Sequence, residues 1–176
     1  MAFEFGSQNP GDIGNLVSAV TANDVGVVFF RGYGVENTMQ SLGLVNDSYM
    51  DWQTPATIEI INDTHYITSN LGLGTHSLGY TYMGEVSLPG VNTTVLATGP
   101  EGAAIVVHNS LRVAFTPFYG HSSGYSLETA AGLEITDRTI QWAAGGTSVP
   151  DPSGLALFSI GLIGLGLGKR KKESLG

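Results

Sequence analysis

The chain has 176 residues, of which 42% are hydrophobic and 9% aromatic, enough for one domain with its own core. Residues 1–150 carry only three basic residues, all arginines, against thirteen acidic ones. A negatively charged surface repels a phosphate backbone, which argues against a nucleic-acid partner. The absence of cysteine removes disulfides, thiolate metal ligands and cysteine nucleophiles.

The first half of the chain alternates predicted helices and strands. Apolar residues at helical spacing, with Asp12 as an N-cap, predict a helix over 11–24. The unbroken β-branched and aromatic run at 25–34 predicts a strand buried on both faces. A short helix is expected over 36–44 and an alternating strand over 56–62.

Four further strands and a closing helix are expected in the second half. The weaker strand patterns cover 78–86 and 91–99, and the stronger ones, 102–109 and 111–118, lie close enough to form a hairpin. A helix over 126–146 is expected to open at an N-cap and to end at the glycine pair of 145–146. Its N-cap and predicted apolar stripe are Ser126, Ala130, Leu133, Ile140 and Trp142.

This element order predicts an α/β domain, a three-layer sandwich with a mainly parallel sheet. The first predicted element is a helix, whereas open parallel sheets usually begin with a strand that becomes central. If the fold is flavodoxin-like, its first strand is therefore missing from the sequence. The opening 14 residues have neither the positive nor the apolar segment of a secretory signal peptide.

The four histidines show no metal-ligand spacing, and no G-x-S-x-G motif is present. His108 and His121 follow neighbouring predicted strands, so a hydrolase or sugar-modifying site near them is the competing functional hypothesis. Asp63 and His65 could form an acid–base pair, although Asx-turn chemistry explains Asn62 and Asp63 equally well. Neither a catalytic residue nor a cofactor or metal site is assigned.

The C-terminal region carries the clearest pattern. Residues 153–168 form a sixteen-residue run without charge that contains five glycines. As a helix it would span about 24 Å, near the ~30 Å of a bilayer core. Its apolar residues cover the whole helical circumference, and four cations follow, Lys169, Arg170, Lys171 and Lys172. The run predicts a single transmembrane helix with its basic end in the cytoplasm.

Three consecutive features make this region resemble the PEP-CTERM sorting signal. They are the sequence Val149, Pro150, Asp151 and Pro152, then the apolar run, then the basic cluster. Asp151 stands where the family usually has glutamate. The resemblance implies an exported protein of a Gram-negative, exopolysaccharide-producing bacterium, recognised by a membrane protease of the exosortase type.

The body is similar, over "IEIINDTHYIT", "RVAFTPFYGHS" and "GLEITDRTIQWAAGG", to the second half of trehalose-utilisation-type and class I glutamine-amidotransferase-like domains. This similarity implies a flavodoxin-like sandwich. Tyr66 replaces the proline of the family's His-Pro-Ile segment. The amidotransferase nucleophile is a cysteine, which this chain lacks, so that activity is not transferred.

Together these features predict four regions: an α/β domain at 1–146, a linker with the VPDP motif at 147–152, a transmembrane helix at 153–168 and a basic cytoplasmic tail at 169–176. The favoured function is a non-enzymatic protein anchored in the inner membrane with its body in the periplasm. It would then reach the cell envelope or the extracellular matrix after processing. The expected partners are the sorting protease, the bilayer and exopolysaccharide.

Overall fold

A computed structural model describes residues 10–23, 25–30, 35–46, 50–53, 57–79, 83–117 and 129–145. All of them belong to the first of two units of the chain, Met1–Gly145; the second unit is Gly146–Gly176. The sorting motif at 149–152, the predicted membrane helix at 153–168 and the basic cluster at 169–172 lie outside the described residues. Within the described part, no helix is long and apolar enough to cross a membrane.

The described residues form three helices and eight strands. The helices are α1 (Pro10–Asn23), α2 (Glu36–Ser41) and α3 (Ala130–Ala143). The strands are β1 (Val27–Phe30), β2 (Met50–Gln53), β3 (Thr57–Ile60), β4 (Gly74–Ser77), β5 (Met83–Val86), β6 (Thr93–Thr98), β7 (Ala103–His108) and β8 (Val113–Thr116). Each helix and strand predicted for the α/β domain has a counterpart among the described elements, and the structure adds β2 and β4.

The strands build one sheet in the order β1-β8-β7-β6-β3-β4, and β5, paired with β2, joins it through Val86 and Ala103. Only β1 and β8 are parallel among the described pairs, with Val27 opposite Val113. The prediction of a mainly parallel sheet is therefore wrong. Short connections such as the four residues between β7 and β8 can join antiparallel neighbours, whereas a parallel pair needs a long crossover.

Helices pack on both faces of this sheet, which gives the three layers that the sequence predicts. On the α1/α2 face, Val20 and Met39 belong to an apolar cluster that includes Phe29 and Phe115 from the sheet. On the α3 face, Ile135 belongs to a second cluster built on β3, β6 and β7. Each cluster removes apolar side chains from water on its own side of the sheet.

Helix α3 turns mostly a different side to the sheet from the one predicted, although Trp142 of the predicted stripe does pack against the core. Leu133 and Ile140 of the predicted stripe are 53% and 42% exposed, whereas Ile135, Arg138 and Thr139 are buried. Two of those buried residues are polar, so apolar periodicity points to the wrong side of the helix. The helix begins after Thr129, whose side chain accepts the Gly132 N–H, and the expected cap Ser126 lies outside the described residues.

Candidate functional site

Arg138 connects α3 to the segment between β3 and β4, residues 61–73. Its Nε donates to the Tyr66 carbonyl at 2.5 Å and its Nη2 to Ser69 Oγ at 2.8 Å. The guanidinium carbon lies 4.1 Å from the centre of the Tyr66 ring, within cation–π range. Because Arg138 is only 8% exposed, these contacts compensate a charge that would otherwise be costly to bury.

Polar side chains at the surface extend this arrangement. Glu134 Oε1 accepts from Asn70 Nδ2 at 2.7 Å and lies 3.5 Å from Arg138 Nη1. Farther along the helix, the Tyr66 hydroxyl donates to Gln141 Oε1 at 2.5 Å. Exposed pairs of this kind add little stability, but they fix the orientation of the amide and carboxylate groups on this side of the molecule.

An open, solvent-exposed cavity of about 570 Å³ lies between the start of α3, the end of the 61–73 segment and the edge strand β4. Its volume falls in the range of sites for small molecules. Most of the described lining residues offer a hydroxyl, amide, imidazole or carboxylate group, and none of these described residues is lysine or arginine. The lining residues are Asn70, Leu71, Thr75, His76, Ser77, Thr129, Ala130, Ala131 and Glu134.

Internal hydrogen bonds already orient several of these groups. The His76 Nε2 atom lies 3.1 Å from the Gly72 carbonyl, a contact that assigns the proton to Nε2 and leaves Nδ1 as an acceptor in the neutral ring. Ser77 Oγ accepts the Gly79 N–H, and Thr129 Oγ1 caps α3. The cavity wall is therefore positioned before any ligand binds.

His65 lies in the first turn after β3. Its Nδ1 accepts the Ile67 N–H at 3.2 Å, and its ring meets Trp142 edge-on at 5.5 Å between centroids. Burial lowers the pKa of His65 from its ordinary value of 6.5. Asn62 Oδ1 accepts the Thr64 N–H at 3.0 Å, so the Asx turn is confirmed in this segment.

His108 ends β7 and holds the turn that leads to β8. Its Nδ1 accepts the N–H groups of Ser110 and Leu111 at 3.2 and 3.0 Å, and the side of the ring with Nε2 faces Gly43, after α2. Burial lowers the pKa of this ring as well. His108 does not line the cavity, and His121 lies outside the described residues. This geometry gives His108 a structural role.

Open α/β sheets commonly bind ligands at the carboxyl ends of their parallel strands. In this sheet the parallel pair is β1 and β8, so their carboxyl ends are a second candidate position. Thr116, the last residue of β8, is fully buried, and its Oγ1 has no hydrogen-bond partner within the described part of the chain. Glu85 is 1% exposed, and its Oε2 accepts the Glu101 N–H at 2.7 Å. The residues that follow β1 and β8 here, 31–34 and 118–128, lie outside the described ranges.

Nowhere in the described residues do three acidic or histidine side chains form a group that could hold a metal ion.

The comparison with known proteins identifies the fold. Neither a protein-family model nor a curated protein matches the sequence. The chain is similar in structure to a putative ThuA-like protein from Bacteroides uniformis, with a TM-score of 0.60 and 12% identity over 78% of this chain. It is also similar to a putative GMP synthase subunit from Thermoplasma acidophilum, with a TM-score of 0.50 and 11% identity over 80% of this chain and 68% of that one.

The body has the α/β fold of these two proteins. This result confirms the flavodoxin-like, amidotransferase-like fold expected from the sequence in its coarse form. The chain spans 65% of the length of the ThuA-like structure. At 11–12% identity the likeness extends to the fold alone.

Proposed function

We propose that the chain is an exported, membrane-anchored envelope or matrix protein whose α/β body is a non-enzymatic binding module. The observation that carries the proposal is the C-terminal arrangement of Val149–Pro152, the uncharged run at 153–168 and the cations at 169–172. A soluble helix would be destabilised by those five glycines, at up to ~1 kcal/mol each. A membrane segment tolerates them better.

The body supports this proposal at two of its histidines, His108 and His65, whereas His76, which lines the cavity, keeps Nδ1 as an acceptor. His108 supplies an acceptor to two backbone N–H groups of a tight turn, and His65 does the same within its own turn. A general base needs a free nitrogen within reach of a substrate proton, and Nδ1 of His108 and of His65 is already occupied. The lowered pKa of His108 keeps the ring neutral but makes it a weaker base, and the described cavity lies elsewhere, so neither observation favours the competing hydrolase hypothesis.

The proposal is tested by fractionation in a Gram-negative host that carries an exosortase-type protease. The full chain, with a secretion leader placed before Met1, is compared with a version that lacks 149–172. We expect the full chain in the membrane fraction, followed by a shorter form cut near Val149–Pro152. The deleted version should be soluble in the periplasm. A full chain that distributes like the deleted version would overturn the proposal.

Three variants separate anchoring from recognition. Replacing the four cations at 169–172 by glutamine keeps the apolar run but removes the orienting charge, so we expect mixed orientation measured by protease accessibility. Pro150→Ala combined with Pro152→Ala leaves the span and the charge intact, and should block only the shortening. Asp151→Glu, which restores the usual residue of the family, should be cut at least as fast as the unaltered chain.

A further inference from the structure

We infer that the apolar turn, residues 87–92 between β5 and β6, contacts the surface of a zwitterionic lipid bilayer through the side chains of Leu88 and Val91. This inference rests on the proposed membrane anchoring, because the tail would bring the turn to the bilayer. The observations that carry it are the exposure of the two side chains, the hydrogen bonds that hold the turn, its lack of acidic residues, and the place where the chain leaves the described domain.

The apolar turn leaves two large side chains in water. Leu88 is 55% exposed and Val91 is 97% exposed, and only Pro89 and Gly90 separate them in the sequence. Apolar area of this kind is stabilised when it moves from water into the interface of a membrane. An almost fully exposed side chain projects from the protein surface, so the turn does not enclose a partner as a groove does. The deformable headgroup layer of a bilayer can accommodate such a projection.

Hydrogen bonds fix the backbone of the apolar turn against the residues that follow α2. The Asn46 N–H donates to the Leu88 carbonyl at 2.8 Å, and the Gly90 N–H donates to the Leu44 carbonyl at 3.0 Å. Asn46 Nδ2 donates to the Pro89 carbonyl at 3.0 Å. These backbone groups are already satisfied within the protein, so contact with lipid leaves none of them unpaired. The turn is also ordered beforehand, which reduces the entropy lost on binding.

The charges near the apolar turn suit a zwitterionic surface. Its neighbour is the β7–β8 turn, residues 109–112, and the two turns together contain no acidic residue and one arginine, Arg112. The rest of the body is different, since residues 1–150 carry thirteen acidic residues. An anionic bilayer would repel that acidic body. A phosphatidylcholine surface avoids this repulsion, and its phosphate groups suit a guanidinium.

The chain leaves the described domain at the same end of the sheet as the apolar turn. Asn92 Nδ2 donates to Ser110 Oγ of the β7–β8 turn at 3.0 Å, and the Arg112 guanidinium at the end of that turn lies against Gly145, which follows α3. From there, residues 146–153 lead to the start of the predicted span, and fully extended they reach at most about 29 Å. Such a tether gives the turn an effective concentration of about millimolar at the bilayer, where the weak affinity of two side chains is sufficient.

The experiment measures the contact by lipid quenching. The chain has no cysteine, so Ser110→Cys in the β7–β8 turn and Leu133→Cys on α3 each accept a single NBD fluorophore. Leu133 lies ten residues, about 15 Å, before the end of α3. Each labelled full-length chain is placed in phosphatidylcholine vesicles, with and without a nitroxide near the lipid headgroup. We expect about twofold quenching at position 110 and little at 133, because the turn would lie about 5–10 Å into the interface.

Matched double variants assign the contact to the two side chains. With the label at position 110, Leu88→Ser combined with Val91→Ser should reduce the quenching to the level seen at 133. Leu133→Ser combined with Ile140→Ser removes two apolar side chains that are 53% and 42% exposed from α3, and should leave the quenching unchanged.

The outcomes separate this inference from the proposed function. Quenching at position 110 that does not depend on Leu88 and Val91 would overturn the inference, because the tether alone would explain it. Cross-linking of Val91→Cys chains to each other, without lipid quenching, would identify a second copy as the partner and would also overturn it. Flotation of the chain with the vesicles is measured separately. A chain that floats with an unquenched label refutes only this inference, whereas a chain that does not float refutes the anchoring and this inference with it.

Discussion

The two faces of the sheet are built in different ways. The α1/α2 face is closed by apolar residues, among them the fully buried Phe29, Met39 and Phe115. The α3 face has a comparable apolar cluster, but it also buries Arg138 and Thr139 beside Ile135. The α1/α2 face also buries Thr38 of α2, but the α3 face buries a charge, which needs specific hydrogen-bond partners from a distant part of the chain.

This difference indicates which face can carry function. Apolar packing tolerates volume-conserving exchange, while a buried charge requires its own partners in place. The described cavity lies on the same side of the molecule as that charge, at the start of α3. The polar residues of the α3 face therefore hold the wall of the cavity in place, and the α1/α2 face supplies a rigid support.

The largest expected effect is on the apolar face. Phe115→Ala should lower the free energy of unfolding by about 3–5 kcal/mol, because it removes a fully buried aromatic side chain and leaves a cavity. Urea unfolding of the full-length protein in detergent measures it. Val91→Ala, at a position 97% exposed, is the control and should change stability by less than about 0.5 kcal/mol. A small loss for Phe115→Ala would show that this face is not the main core.

The next effect is on the α3 face. Arg138→Met keeps much of the volume but leaves the Tyr66 carbonyl without its donor, and should cost about 2–3 kcal/mol. Arg138→Lys keeps the charge but cannot reach Tyr66 and Ser69 together through a planar fork, so it should recover only part of that loss. If Arg138→Met were as stable as the parent, the two faces would not differ in the way described above.

The helix cap gives a smaller effect. Thr129→Ala removes the acceptor for the Gly132 N–H and should cost about 1 kcal/mol in urea unfolding. Thr129→Ser keeps the hydroxyl and should be close to the parent. Equal losses for both variants would mean that the methyl group, and not the cap, stabilises the start of α3.

The smallest effect is on the pH dependence of stability. Burial lowers the pKa of both His65 and His108, so the unfolded chain binds protons more readily than the folded one. The stabilisation is complete above about pH 6.5 and is lost as the pH falls from there towards the folded-state pKa values.

Asparagine keeps an acceptor near the position of Nδ1 but does not titrate. His65→Asn and His108→Asn should therefore each reduce the stability lost between about pH 7.5 and about pH 5.5. The free energy of unfolding at the two pH values gives the result. The rings belong to separate turns, one beside Trp142 of α3 and the other beside Gly43 after α2, so the double variant should show the sum of the two effects. An unchanged pH dependence in both single variants would contradict the prediction.

The sequence predicts the local elements well where one type of pattern dominates. The continuous apolar runs identify β1, β7 and β8, and helical spacing identifies α1. Strand β4, with the sequence GTHS, has no such pattern, because an edge strand with half-exposed residues lacks the alternation that a buried face imposes. The direction of the strands depends on which of them are neighbours, and local patterns do not contain that information.

The candidate site is beyond sequence-based prediction for a similar reason. Arg138 has the pattern of a surface residue because its partners, Tyr66 and Ser69, lie about seventy positions earlier in the chain. Hydropathy alone therefore predicts that Leu133 and Ile140 face the core. His108 resembles a candidate base because its two backbone donors are visible only in the folded turn.

The position of β8 also determines when the domain can close. In the described sheet β1 pairs with β8 alone, and every other described strand lies between them in the chain. During synthesis, the apolar residues Val27–Phe30 therefore have no neighbouring strand to pair with until β8 has been made. Contacts of such long sequence separation form slowly, and unpaired strands of this kind invite aggregation. The antiparallel pairs among β2 to β7 do not involve β8, so before β8 is made the exposed apolar surface of the sheet is concentrated at β1 and at the strand edge that β8 will cover.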